Sequence, residues 1–204
     1  MASRRLLHES RAVFASLLTV PLLVVVLLLS PQASADEQSD ATRLVEQVHA
    51  AAMALDPGRS GGATLGTISD SFDGEGIAKA VLGTRWRSAS ADERTAVVDA
   101  LVFAIAHRLA DRVQRTQDRN FALLGTKTLA NGDILVRSEF RRALRPPTLV
   151  NWRVRHCRGG LCIGDVFLNG GSVTVQQRDR IARLLASNGG SIPALVASLR
   201  KGRV

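Results

Sequence analysis

The 204-residue sequence has no tyrosine, two tryptophans and two cysteines, and its 27 basic residues include only three lysines. Each scarcity excludes something. No Gly-x-Ser-x-Gly elbow occurs, so the nucleophile turn of the α/β hydrolases is missing. Cys157 and Cys162, with His156 beside them, do not supply the further ligands that a closed zinc site needs, and no metal is expected. Gly61–Gly62 and Gly170–Gly171 are isolated turn glycines, not a phosphate loop. With six phenylalanines and two tryptophans, the interior must be built mostly from Leu, Val, Ile and Ala. No internal repeat is present.

Charge is absent from Ala12 to Leu29, whereas Arg4, Arg5 and Arg11 precede or border that run. A basic start, an apolar stretch and the small-residue triplet Ala33–Ser34–Ala35 form the pattern of a secretory signal peptide over residues 1–35, cut before Asp36. Ser3–Arg4–Arg5–Leu6–Leu7 also has the look of a twin-arginine start, but so Leu- and Val-rich a run fits ordinary export better. Retention as a membrane anchor is the alternative, which Pro21 and the cleavage triplet oppose. Residues 36–204 then form one domain, rich in arginine and destined for the periplasm. Nucleic acid is a poor partner there, and anionic lipid surfaces are a better one.

In an oxidising compartment the lone cysteine pair reads as a disulfide. Its flanks alternate as strands, Asn151 to His156 running in and Ile163 to Leu168 running out, with Arg158–Gly159–Gly160–Leu161 as the turn. Upstream, Leu44, Val45, Val48, Ala51, Ala52 and Leu55 recur at helical spacing from Asp40 to Asp56. A Gly- and Ser-rich stretch to Ser71 reads as a loop. Asp73 is placed as N-cap of a short helix that Gly83 closes, and Ser90 with Glu93 forms a capping box ahead of a long helix. Beyond Asp118 the period becomes two: Ile134, Val136, Ser138 and Phe140 alternate with Leu135, Arg137, Glu139 and Arg141, after an Asn131–Gly132 turn. Two helices, from about Thr174 to Ser187 and from Ile192 to Lys201, close the chain. The class is α+β, a curved antiparallel sheet of about four strands packed against N- and C-terminal helices.

Catalytic chemistry has little support. Asp70, Asp73 and Glu75 cluster near Phe72, which keeps open a small hydrolase, yet Asp73 and Glu75 also suit a helix start. The basic runs Arg108, Arg112, Arg115, Arg119 and Arg137, Arg141, Arg142, Arg145 read either as solvated faces or as contact surfaces for an anionic membrane or acidic partner.

Taken together, Phe72–Asp73, Ala78, Leu82–Gly83, Trp86, Ser90, Glu93 and Arg94 resemble the motif of MlaC-type periplasmic phospholipid-binding proteins, also called toluene-tolerance auxiliary proteins. The order is kept further on in Val150–Asn151–Trp152–Arg153–Val154, Asp165–Val166, Gly170–Gly171–Ser172, Arg178 to Ile181, and Gly189–Gly190 to Arg200. The resemblance implies an NTF2-like cone around an apolar cavity. It implies a non-catalytic carrier, without cofactor, that shuttles phospholipid between an outer-membrane lipoprotein complex and an inner-membrane ABC transporter with transient membrane contact. Its expected cavity walls are Leu82, Trp86, Leu101, Ile105, Leu109, Val136, Phe140, Trp152, Val154, Ile181 and Leu185, with Arg137 and Arg141 facing membrane or partner. Departures from the family pattern at Gln177, Ile181 and the cysteine hairpin keep two alternatives in view: a hopanoid carrier of the HpnM-like branch, and an envelope docking module without lipid.

Overall fold

A computed structural model describes residues 30–55, 62–116, 120–142 and 145–202. The apolar leader segment expected before Leu29 lies outside them. Contacts divide the chain into two units, Met1–Ala35 and Asp36–Val204, and the second holds nearly every element. Helices α1 (Ser30–Ala54), α2 (Gly62–Asp70), α3 (Gly74–Leu82), α4 (Arg85–Ser88) and α5 (Ala91–Thr116) precede the sheet. Strands β1 (Phe121–Thr128), β2 (Ile134–Arg142), β3 (Arg145–Cys157), β4 (Gly160–Leu168) and β5 (Gly171–Ser172) follow, and then α6 (Val173–Ser187) and α7 (Ile192–Arg200).

The helix starts follow from local hydrogen bonds. Asp73 Oδ1 accepts from Gly76 N at 2.8 Å, which satisfies an otherwise orphaned donor of α3. Ser90 Oγ accepts from Glu93 N at 3.2 Å while the Glu93 carboxylate accepts from Ser90 N at 2.9 Å, the reciprocal capping box that opens α5. Ser172 and Ser191 cap α6 and α7 in the same manner. Gly83 ends α3 with φ 57°, a left-handed conformation that costs a glycine little.

The strands pair in chain order, β1-β2-β3-β4-β5, all antiparallel. Val136, Trp152 and Val166 lie across from one another, as do Ile134, Val154 and Ile163, so the inner face is a continuous apolar surface. Val136, Trp152, Val154, Ile134 and Ile163 are all buried. Irregularities between Leu123 and Gly125 and between Arg153 and Val154 interrupt the register. Such bulges bend a strand and increase its twist, which curves the sheet.

Helix α1 lies against the inner face of β1 and β2. The His49 ring stacks on Phe121 at 4.2 Å and meets Phe140 at 5.6 Å, while the Gln38 amide takes a hydrogen bond from Thr126 Oγ1 at 2.6 Å. Ala41, Val45, Val48 and Ala52 of the same helix are buried in one core with Val97, Leu101, Ile181, Leu195 and Leu199. Gly74 permits close approach of α3 to α5, because a Cβ there would come within 2.9 Å of both Val98 and Val102.

Three expectations need correction. The stretch before Ser71 contains helix α2 instead of a continuous loop: Ile68 is fully buried, and that burial with packing on α5 outweighs the weak helix propensity of Gly and Thr. The sheet has a fifth strand, the two-residue β5, too short for any periodicity to reveal. Helix α1 starts at Ser30, not near Asp40.

Candidate functional site

The expected wall residues all belong to the apolar core or pack against it. Leu82, Leu101, Val136, Phe140, Trp152, Val154, Ile181 and Leu185 are buried in one cluster, and Trp86, Ile105 and Leu109 are half-buried against it. A polar relay lies within this apolar region. Trp152 Nε1 donates to Ser138 Oγ at 3.0 Å, and Ser138 Oγ donates to the Val150 carbonyl at 2.8 Å. Both side chains are buried, so these bonds are electrostatically strong and costly to break.

Around that cluster, the motif residues act as joints between layers. Phe72 forms a parallel bridge to Ile163 on β4, with Asp73 N donating to the Ile163 carbonyl at 2.9 Å and Ile163 N donating to the Ser71 carbonyl at 2.8 Å. Asp73 also pairs with Arg155 Nη1 at 3.1 Å. Gly164 leaves room for that guanidinium, since a Cβ at this position would come within 2.4 Å of Arg155 Nε. Cys157 and Cys162 are joined in the expected disulfide across the β3–β4 hairpin, and their sulfurs lie within 4.8 Å of the Asp73 carboxylate. Because both sulfurs are bonded to each other, that grouping is a junction and not a ligand set.

Two further joints involve side chains whose roles the sequence does not reveal. Asp165 accepts from Val166 N, Ser172 Oγ, Thr174 N and Thr174 Oγ1 at 2.6 to 3.1 Å, which fixes the turn from β4 through β5 into α6. Trp86 has two cations near its ring, Arg94 at 5.4 Å and Lys79 at 5.9 Å from the centroid. Arg94 also donates to the carbonyls of Trp86 and Arg87 at 2.9 and 3.0 Å, closing the last turn of α4.

The acidic cluster near Phe72 separates into local roles. Asp73 caps α3 and holds Arg155, while Glu75 pairs with Lys79 at 2.6 Å on the surface, and that hydrogen bond lowers its pKa. On the opposite sheet face, Arg137 and Arg141 are exposed on β2 as expected, but the carboxylate between them is buried: Glu139 receives Arg141 Nε at 2.5 Å. Arg153 pairs with Asp133. Arg142 and Arg145 carry no described side chain. Between α5 and α7, an open groove of about 320 Å³ is lined by Asp99, Ala100, Phe103 and Arg200 and includes none of the expected walls.

Capped helices packed on the apolar face of a curved antiparallel meander place the protein in the α+β class. The chain belongs to the MlaC protein family, whose model matches residues 33–201. Among solved structures it is similar to the phospholipid-binding protein from Ralstonia solanacearum, solved in complex with a phospholipid. The TM-score is 0.64 at 19% identity, over 81% of this chain and 96% of that one. No curated protein sequence matches.

Proposed function

We propose that this protein is a periplasmic phospholipid carrier. The family match over residues 33–201, which spans the domain expected after removal of the leader, carries the reading. The likeness in fold to a protein solved with a phospholipid supports it. So does the chemistry of the interior, where the buried side chains between sheet and helices are overwhelmingly aliphatic. Each methylene moved from water into such surroundings gains about 0.8 kcal/mol, so two acyl chains supply ample free energy for retention across an aqueous gap.

In this reading the leader is removed before Asp36 and the domain travels between an outer-membrane lipoprotein complex and an inner-membrane ABC transporter. Leu82, Leu101, Val136, Phe140, Trp152, Val154, Ile181 and Leu185 part to admit the chains, with Trp86, Ile105 and Leu109 at the margin. Arg137 presents its charge to membrane or partner, and Arg141 does so while paired with Glu139. No covalent step takes place. The test is native mass spectrometry of protein purified from periplasm without detergent. A stoichiometric diacyl phospholipid is expected, and a protein that stays empty even after mixing with phospholipid vesicles would overturn the proposal.

A further inference from the structure

We propose that the groove between α5 and α7 seats the headgroup of the carried lipid and selects a zwitterionic one, with Arg200 taking the phosphate and Asp99 the ammonium; this rests on the carrier reading above. The groove has a volume of about 320 Å³ and brings together Asp99, Ala100 and Phe103 of α5 with Arg200 of α7. Asp99 and Phe103 are four residues apart and so share one face of α5, while Arg200 comes from the last turn of α7. The acid and the base are both exposed and line the same groove, yet among the described residues neither makes an ion pair or a side-chain hydrogen bond. An ionised carboxylate only accepts hydrogen bonds and a guanidinium only donates them, so an acceptor and a donor of opposite charge border one space without being joined. A ligand that carries one charge of each sign answers both. Its phosphate fits the planar guanidinium in bidentate fashion, and its ammonium supplies donors to the carboxylate.

The other two lining residues favour an amphiphile. Phe103 is 42% exposed, a large apolar side chain left in water at the groove wall, and the His107 ring lies 4.2 Å from it, centroid to centroid. The face of such a ring attracts an ammonium. Ala100 is 1% exposed and belongs to the core, as do its neighbour Leu101 and, beside Arg200 on α7, Leu199. The groove therefore has charged rims and a base shared with the apolar interior. A headgroup held there keeps its acyl chains next to the two helices that enclose the core. A free zwitterion such as phosphoethanolamine offers the same two charges, but it has nothing to place against an apolar base, which favours the lipid as the source.

The experiment loads the delipidated mature protein from vesicles containing chain-matched phosphatidylethanolamine, phosphatidylglycerol and diacylglycerol in equal amounts, with bound lipid measured by native mass spectrometry. Comparison of each variant with wild type cancels differences in how readily the lipids leave the vesicle. Asp99→Asn should lower the ratio of phosphatidylethanolamine to phosphatidylglycerol about three- to fivefold, the effect expected of an exposed charge pair, and Asp99→Lys should lower it further. Asp99→Glu keeps the charge and should keep most of the preference. Arg200→Gln should lower both phospholipids relative to diacylglycerol by a similar factor. Ratios that stay at the wild-type value in Asp99→Asn and Arg200→Gln overturn the headgroup site. Phosphoethanolamine is the further arm. If it binds wild type and not the double variant Asp99→Asn/Arg200→Gln while the lipid ratios are the same in both, the groove takes the free zwitterion and the headgroup assignment is overturned. Failure of wild type to take up any of the three lipids overturns the carrier reading, and this proposal falls with it.

Discussion

The Ser138 hydroxyl is a point of weakness in the interior, because two buried groups depend on it. Ser138→Ala removes the acceptor for Trp152 Nε1 and the donor to the Val150 carbonyl. Losing two hydrogen bonds and leaving the buried indole N–H unpaired should together cost about 2 to 3 kcal/mol. For a domain of this size that corresponds to a fall in Tm of roughly 5 to 10 °C. The reasoning is tested by a double-mutant cycle followed by urea denaturation. In a Trp152→Phe background the donor is gone, so adding Ser138→Ala should cost only about 1 kcal/mol, a coupling of about 1 to 2 kcal/mol between the two positions. If Ser138→Ala costs the same in both backgrounds, the indole does not depend on the hydroxyl and the relay has no energetic meaning.

Other consequences can be measured in the same way. Asp165→Ala should destabilise the domain by about 2 to 4 kcal/mol in denaturant titrations, with Asp165→Asn milder because it keeps one acceptor oxygen. Reducing the disulfide should cost about 2 kcal/mol, since the cysteines are only five residues apart and the loop they close is short; comparison of urea midpoints with and without reductant gives the number. At Asp133, burial alone would raise the pKa, but hydrogen bonds from Asn131 and Arg153 and the charges of Arg153 and Arg155 outweigh it, and the net shift is downward. Its stabilising contribution is therefore present above the unfolded carboxylate value near 3.8 and lost as pH falls through the lower folded value. The stability gap between wild type and Asp133→Asn should accordingly narrow between about pH 5 and pH 2, and a gap that widens on acidification would contradict the assignment.

Much of this arrangement is legible in the sequence because it is local. The Asp73 and Ser90 caps, the Asn131–Gly132 turn, the alternation along β2 and the cysteine hairpin each depend on residues a few positions apart. What could not be read depends on distant partners. Helix α2 exists because Ile68 finds a place against α5, a fact that no window around Gly66 contains. Trp86 reads as an apolar wall residue by type, and only the approach of Lys79 and Arg94 shows its cationic setting. The charge pattern on β2 was more accessible: residues two apart share a strand face, so Glu139 between Arg137 and Arg141 already signals partial neutralisation of that basic stripe.

The bridge between Phe72 and Ile163 also covers part of a sheet edge. A meander leaves two open sheet edges, and an open edge is a template for joining another chain. On β4, the side not paired with β3 is occupied by β5 opposite Phe167 and Leu168 and by Phe72 opposite Ile163, so backbone groups at the C-terminal end and in the middle of that edge are already bonded. On β1, the irregularity at Gly125, with φ 113°, and the exposed Lys127 make the other edge a poor match for a straight incoming strand. Breaking the Phe72 bridge would therefore do more than loosen α3: it would uncover the middle of an apolar strand and invite aggregation before it caused unfolding.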